Sequence, residues 1–223
     1  QDATVWLEAI RNGSRGADDL TNYIYAITNY VTFYDDQGKV IPPAPHVAGY
    51  TYQASSYDGT PNTQYLTNAM RIVGILSTPE YTDGFGGPPM SDVFKQNFAS
   101  NHVVAYVRSI SGLAAEKPPQ PSDSLLFQDT LTYRLFCVNA PTPVDTNVYN
   151  LPADQKAYAL ALAGNQRELR LTFLWPQYPN GKLGPGRQTF RTTVAGQLTP
   201  TNYNNWDNQW LYFYQSQSFT NAP

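Results

Sequence analysis

Between Arg167 and Trp175 every second residue is apolar: Leu169, Leu171, Phe173 and Trp175 fall on one side, and Glu168, Arg170 and Thr172 on the other. A period of two is the signature of a strand with one face in a core and one in water. The same period recurs from His102 to Ile110, where Val103, Ala105 and Val107 alternate with Val104, Tyr106 and Arg108. It recurs again where Leu131, Tyr133, Leu135 and Cys137 alternate with Thr130, Thr132, Arg134 and Phe136. After a Pro- and Gly-rich connector, Arg187 to Ala195 reads as a further strand, and Gln209 to Gln215 sets Trp210, Tyr212 and Tyr214 against Leu211 and Phe213. Val31 to Tyr34 and Lys39 to Ile41 flank Asp35-Asp36-Gln37-Gly38, which predicts a β-hairpin. Together these strands imply a mostly antiparallel sheet.

Other stretches carry a helical period. Asp2 to Arg11 places Val5, Trp6, Ala9 and Ile10 on one stripe, and Asn12-Gly13 supplies a stop. Asp18-Asp19 reads as the cap of a second helix running toward Thr28, with Leu20, Tyr23, Ile24 and Ile27 on its buried face. Thr67 or Asn68 caps a helix through Leu76 with Met70, Val73 and Leu76 sharing a face; Pro79 bars its extension, and a strand is the alternative. Ser91 to Phe98 reads as a turn or two of helix. Asp154 to Leu162 is Ala- and Leu-rich and ends at Gly164-Asn165. The fold class is therefore α+β, with an N-terminal helix or helices packed on a mainly antiparallel sheet. Residues 1–223 are read as one domain, helical over 1–29 and a β-rich head with long loops over 30–223.

Composition narrows the function. Charged residues make up 14% of the chain, against roughly a quarter in ordinary soluble domains, while aromatics reach 14%. The polar surface must come mainly from Tyr, Asn, Gln, Thr and Ser, a composition common in exported proteins. A net charge of -3 offers no basic field for phosphates, so nucleic acid is not an expected partner. Cys137 is the single cysteine, which excludes an intrachain disulfide and a Cys-based zinc site, and it reads as a buried small hydrophobe. The chain starts at Gln1 rather than Met, as expected where a signal peptide or membrane anchor has been removed or the sequence is a piece of a longer one.

Candidate chemistry is sparse. His46 and His102 are the two imidazoles, neither with a nucleophile or second ligand at a meaningful spacing. Gly84-Phe85-Gly86-Gly87 lacks the strand and helix of a dinucleotide loop. Asp18-Asp19, Asp35-Asp36 and Glu168 are the carboxylates available to a glycoside hydrolase, but read more simply as a helix cap, turn residues and a strand-edge charge. Asp35, Asp36 and Asp58 lack EF-hand spacing for calcium. No cofactor is expected, and no catalytic or metal-binding residue is assigned. Two kinds of feature remain as partner or glycan contacts. One is the loops, with Tyr50, Tyr52 and Tyr57 between Pro42 and Gln64, and Phe85 between Thr82 and Pro89. The other is the aromatic C-terminal segment with Trp206 and Trp210, whose rings suit either sugar stacking or a core.

Trp175-Pro176, Pro179-Asn180-Gly181 and Gly186-Arg187-Gln188-Thr189-Phe190-Arg191-Thr192 resemble the C-terminal signature of prepilin-type proteins from Verrucomicrobia-like bacteria, and the run from Leu66 to Pro79 resembles the same family. The resemblance implies a globular head like those of type II secretion pseudopilins and type IV pilins, carried on a hydrophobic N-terminal helix that is absent from these residues. Asp2 to Arg11 would then be the end of that assembly helix. It further implies a periplasmic or cell-surface location, anchoring in the inner membrane through the absent helix alone, and partners that are other pilin-like subunits or secretion-system proteins. On this reading the chain is a structural subunit and not an enzyme. The alternative is a secreted carbohydrate-binding module using exposed Trp and Tyr rings.

Overall fold

The computed structural model describes residues 1–13, 20–21, 23–35, 37–42, 46–47, 69–82, 99–111, 131–178, 180–202 and 210–215. In chain order these form α1 (Asp2–Arg11), β1 (Ile24–Phe33), β2 (His46–Val47), α2 (Ala69–Leu76), β3 (Tyr81–Thr82), β4 (Ala99–Arg108) and β5 (Thr132–Pro141). A 3-10 helix (Thr146–Asn150) and α3 (Ala153–Gly164) follow, then β6 (Gln166–Gln177), β7 (Leu183–Ala195), β8 (Leu198–Asn202) and β9 (Trp210–Tyr214). The main sheet has the order β2-β1-β4-β5-β6-β7, with β3 beside β4, and every strand pairing in it is antiparallel. β8 and β9 form a separate antiparallel pair.

The alternation read from the sequence sets the sheet's inner face. Val103, Ala105 and Val107 lie beside Leu135, Cys137, Leu169, Leu171 and Phe173 in one hydrophobic core. α1, α2 and the β8–β9 pair contribute its other residues, among them Trp6, Ile10, Ile72, Leu76 and Tyr212, each 0% exposed. α2 is buried at Ala69 and from Ile72 to Leu76, with Met70 and Arg71 left half-buried at its first turn. Its Gly74 allows the close approach: a Cβ there would stand 2.8 Å from both the Leu211 Cβ and the Phe213 ring.

Two expectations are corrected. The helix expected from Asp18 toward Thr28 is replaced, from Ile24 onward, by β1. The cause is a bulge: Ile24 pairs with Val107 and Ala26 with Tyr106, so two β1 residues occupy one step of β4. The extra residue brings Ile24 and Ile27 onto the same core face, at a spacing of three that imitates a helix. On α1, the stripe is Ala3, Trp6, Ala9 and Ile10, while Val5 is 38% exposed. Val5 is set about 100° round the helix from Trp6, away from the stripe centred on Trp6 and Ile10.

The other elements expected within the described residues hold within a few residues, and the short β2 and β3, the 3-10 helix and β8 are additions. The expected hairpin closes through the Tyr34–Val40 bridge, with Ile41 N–H donating to the Phe33 carbonyl at 2.9 Å. α2 ends where Ser77 Oγ and Thr78 Oγ1 donate to the carbonyls of Val73 and Ile75 at 2.8 and 2.6 Å. The helix expected over Ser91 to Phe98 lies outside the described residues.

Candidate functional site

Among the described residues, the inner face is not covered along its whole length. Where α1 begins, a cleft of about 350 Å³ opens between the helix and the sheet, lined among others by Asp2, Tyr133, Phe173, Trp175, Gln188 and Phe190. The strand period explains the aromatic wall: Phe173 and Trp175 continue the inward face of β6 past the helix, and Phe190 and Gln188 share that face on β7. Phe173 meets Phe190 edge-on at 5.6 Å and lies 5.2 Å from the Tyr133 ring. Gly186 leaves room for the Trp175 indole, because a Cβ there would come within 2.5 Å of it.

The polar wall is fixed by α1. Asp2 Oδ2 accepts hydrogen bonds from the Ile110 N–H at 3.0 Å and from Ser109 Oγ at 3.3 Å, and Asp2 Oδ1 accepts one from Ser111 Oγ. One turn further on, Trp6 Nε1 donates to Tyr133 Oη at 2.9 Å. Burial is the main force raising the Tyr133 phenol well above its ordinary value, so it stays protonated. The cleft thus joins edge-on and tilted aromatic rings to a carboxylate already engaged by three donors. That suits an apolar or sugar-like face better than a proton-transfer step, which needs a carboxylate with a free oxygen at the reacting atom.

A second polar cluster is buried at the opposite end of the sheet. Asn139 Nδ2 donates to the Ser77 carbonyl at 2.8 Å, and Tyr214 Oη donates to Asn139 Oδ1 at 2.7 Å. Asn101 Nδ2 reaches Thr82 Oγ1 at 2.9 Å and the Pro79 carbonyl at 3.2 Å, and Asn29 Nδ2 donates to Asn101 Oδ1 at 3.2 Å. These side chains satisfy the backbone where α2 turns into β3 and tie it to β4, β5 and β9. Their role is to hold the covering layer on the sheet.

Of the residues singled out from the sequence, Tyr50, Tyr52, Tyr57, Phe85 and Trp206 lie outside the described residues, as does the side chain of Trp210. The structure brings none of them into a described site. Within the same C-terminal strand Leu211, Tyr212 and Tyr214 are buried in the core, which accords with the packing reading of that segment. Cys137 is buried, its Sγ 3.1 Å from the Leu76 carbonyl, and desolvation raises its thiol, so it behaves as the expected small hydrophobe. His102 is stacked between Tyr30 and Phe136 at 5.2 and 6.4 Å, and burial lowers its pKa.

The carboxylates take the simpler roles wherever they are described. Asp35 Oδ1 accepts from the N–H groups of Gln37 and Lys39 at 3.0 and 2.8 Å and so shapes the hairpin turn. Glu168 pairs with Arg170 at 3.1 Å, and Arg170 with Glu80 at 3.3 Å. Burial raises the Glu80 carboxyl, with Arg170 pulling the other way. Asp18, Asp19, Asp36 and Asp58 lie outside the described residues. No cluster of three metal-ligating side chains occurs among the described residues.

The cleft was not read from the sequence. Its one local signal was the placing of Phe173 and Trp175 at the end of the strongest alternating run. The pairing of Asp2 with Ser109 to Ser111 spans more than a hundred residues and has no local pattern. Compared with family models, curated proteins and solved structures, the chain matches none of them.

Proposed function

We propose that this chain is a structural subunit of a pilus or of a type II secretion-like pseudopilus, acting outside the cytoplasm through protein–protein contacts. The observation that carries this reading is the seat of α1. Its stripe of Ala3, Trp6, Ala9 and Ile10 is buried in the core, against the inner face of one antiparallel sheet, and Asp2 fastens its first turn to the end of β4. A helix laid on one antiparallel sheet is the arrangement expected of a pilin-like head. In this reading α1 is the distal part of a longer assembly helix, which supplies membrane anchoring and polymerisation. The partners are other pilin-like subunits or secretion-system proteins.

Immunogold electron microscopy of source cells, with antibody raised against residues 1–223, tests the proposal. Labelled filaments, or retention with the inner membrane, are expected. Recovery as a freely diffusing monomer that turns over a substrate, with loss of turnover in Glu80→Gln or His102→Phe, would overturn it.

The cleft favours a second reading, a carbohydrate-binding module, because Trp175 and Phe190 offer ring surface beside the polar Gln188 and Asp2. A glycan array with the native chain and Gln188→Trp, which fills the cleft, separates the two. Signal that disappears in the variant supports glycan binding, and a blank array with native protein removes it.

A further inference from the structure

The main sheet ends on β7, which pairs with β6 on one side and, among the described residues, with no strand on the other. Pro185 is its last proline, so from Arg187 to Ala195 every residue has an N–H, and Arg187, Gln188, Thr189, Arg191 and Thr193 are exposed. Such an edge presents a row of unpaired backbone donors and acceptors to any extended chain.

Charge selects which chain. Five of the fourteen Lys and Arg but one of the seventeen Asp and Glu lie between Gln166 and Ala195, so the β6–β7 ribbon carries +4 in a chain of -3. Arg170 is held by Glu80 and Glu168. Its direct cross-strand neighbour Arg191, and Arg187 on the same face, stand in no ion pair among the described residues. Like charges placed opposite each other repel, and opposite charges across a strand pair attract. We infer that β7 from Arg187 to Ala195 is a strand-addition site for an extended acidic segment of a partner protein. Carboxylates four residues apart on that segment would meet Arg187 and Arg191, about 13 Å apart along the strand. Pairing with β7 of a second copy is disfavoured, because it gathers the arginines of both chains into one patch. The inference does not rest on the pilin reading, since any host process could use this edge.

The probes are two synthetic peptides, acetyl-TEVTVET-amide and acetyl-TKVTVKT-amide, titrated into isotope-labelled chain and followed by amide chemical shifts. The acidic peptide is expected to perturb the amides of residues 187–195. Its affinity should fall about tenfold from low to physiological salt, with the lysine peptide silent. The double variant Arg187→Glu, Arg191→Glu should reverse the preference while leaving the thermal midpoint within a few degrees. Equal response to both peptides means unselective edge pairing and overturns the inference, as does silence at millimolar peptide. Displacement of the acidic peptide by anionic vesicles, with shifts at Arg side chains and not at β7 amides, would assign the patch to membranes and also overturn it.

Discussion

At the scale of single residues, packing sets the protonation of individual titratable groups. His102 illustrates this, stacked between Tyr30 and Phe136 with its pKa lowered by desolvation. A histidine lowered in the folded state binds fewer protons there than in the unfolded chain. Folding is therefore fully supported above the ordinary value of about 6.5 and loses ground as pH falls through it. Glu80, raised by burial, runs the opposite way, gaining as pH falls toward the carboxylate range. His102→Phe keeps a ring in the stack and removes the histidine's part, so its thermal midpoint should change less than that of the native chain between about pH 7 and pH 5.5. An equal decline in both would show that His102 carries none of the pH dependence. From sequence this residue was readable only as lacking a catalytic neighbour. Its ring partners come from β1 and β5, which pairing alone brings beside β4.

Among elements, the same substitution should act with opposite sign in two helices. Gly74 of α2 faces Leu211 and Phe213, where a Cβ would stand 2.8 Å from each, whereas nothing lies within 4 Å of a Cβ built on Gly164 of α3. Gly74→Ala gains about 1 kcal/mol of helix propensity but forces an overpacked contact worth about 1–3 kcal/mol, so urea unfolding should show a net loss. Gly164→Ala should stabilise by about 0.4–1 kcal/mol. α3 invites a larger change, because it has no buried residue and hangs with its 3-10 helix between two strands that already pair from Arg134–Leu174 to Pro141–Arg167. Replacing residues 143–164 by Asn-Gly should leave a folded protein within about 1 kcal/mol of the native chain in the same assay. The sequence made α3 legible through its Ala and Leu content and β6 through strict alternation. It misled at β1, where one bulge residue turned a period of two into an apparent helical spacing at Ile24 and Ile27. Local pattern cannot separate those cases, because the bulge exists only relative to β4.

For the whole molecule, the question is whether α1 belongs to the folding unit or is a handle attached to it. Sequence gave its existence and most of its buried stripe, but not its seat, which depends on Tyr133 and on Ser109 to Ser111 far along the chain. Trp6 and Ile10 are both 0% exposed in the same core as the inner sheet face. Truncating a buried Trp costs about 3–5 kcal/mol and a buried Ile about 2–5 kcal/mol, which together approach the 5–15 kcal/mol that typically holds an entire domain. Deleting residues 1–13 should therefore abolish the cooperative unfolding transition in calorimetry. Adding the synthetic peptide of residues 1–13 should restore it in a concentration-dependent way. A truncated chain that still melts cooperatively near the native midpoint would make α1 an appendage. That outcome would also remove the packing on which a head built around an assembly helix depends.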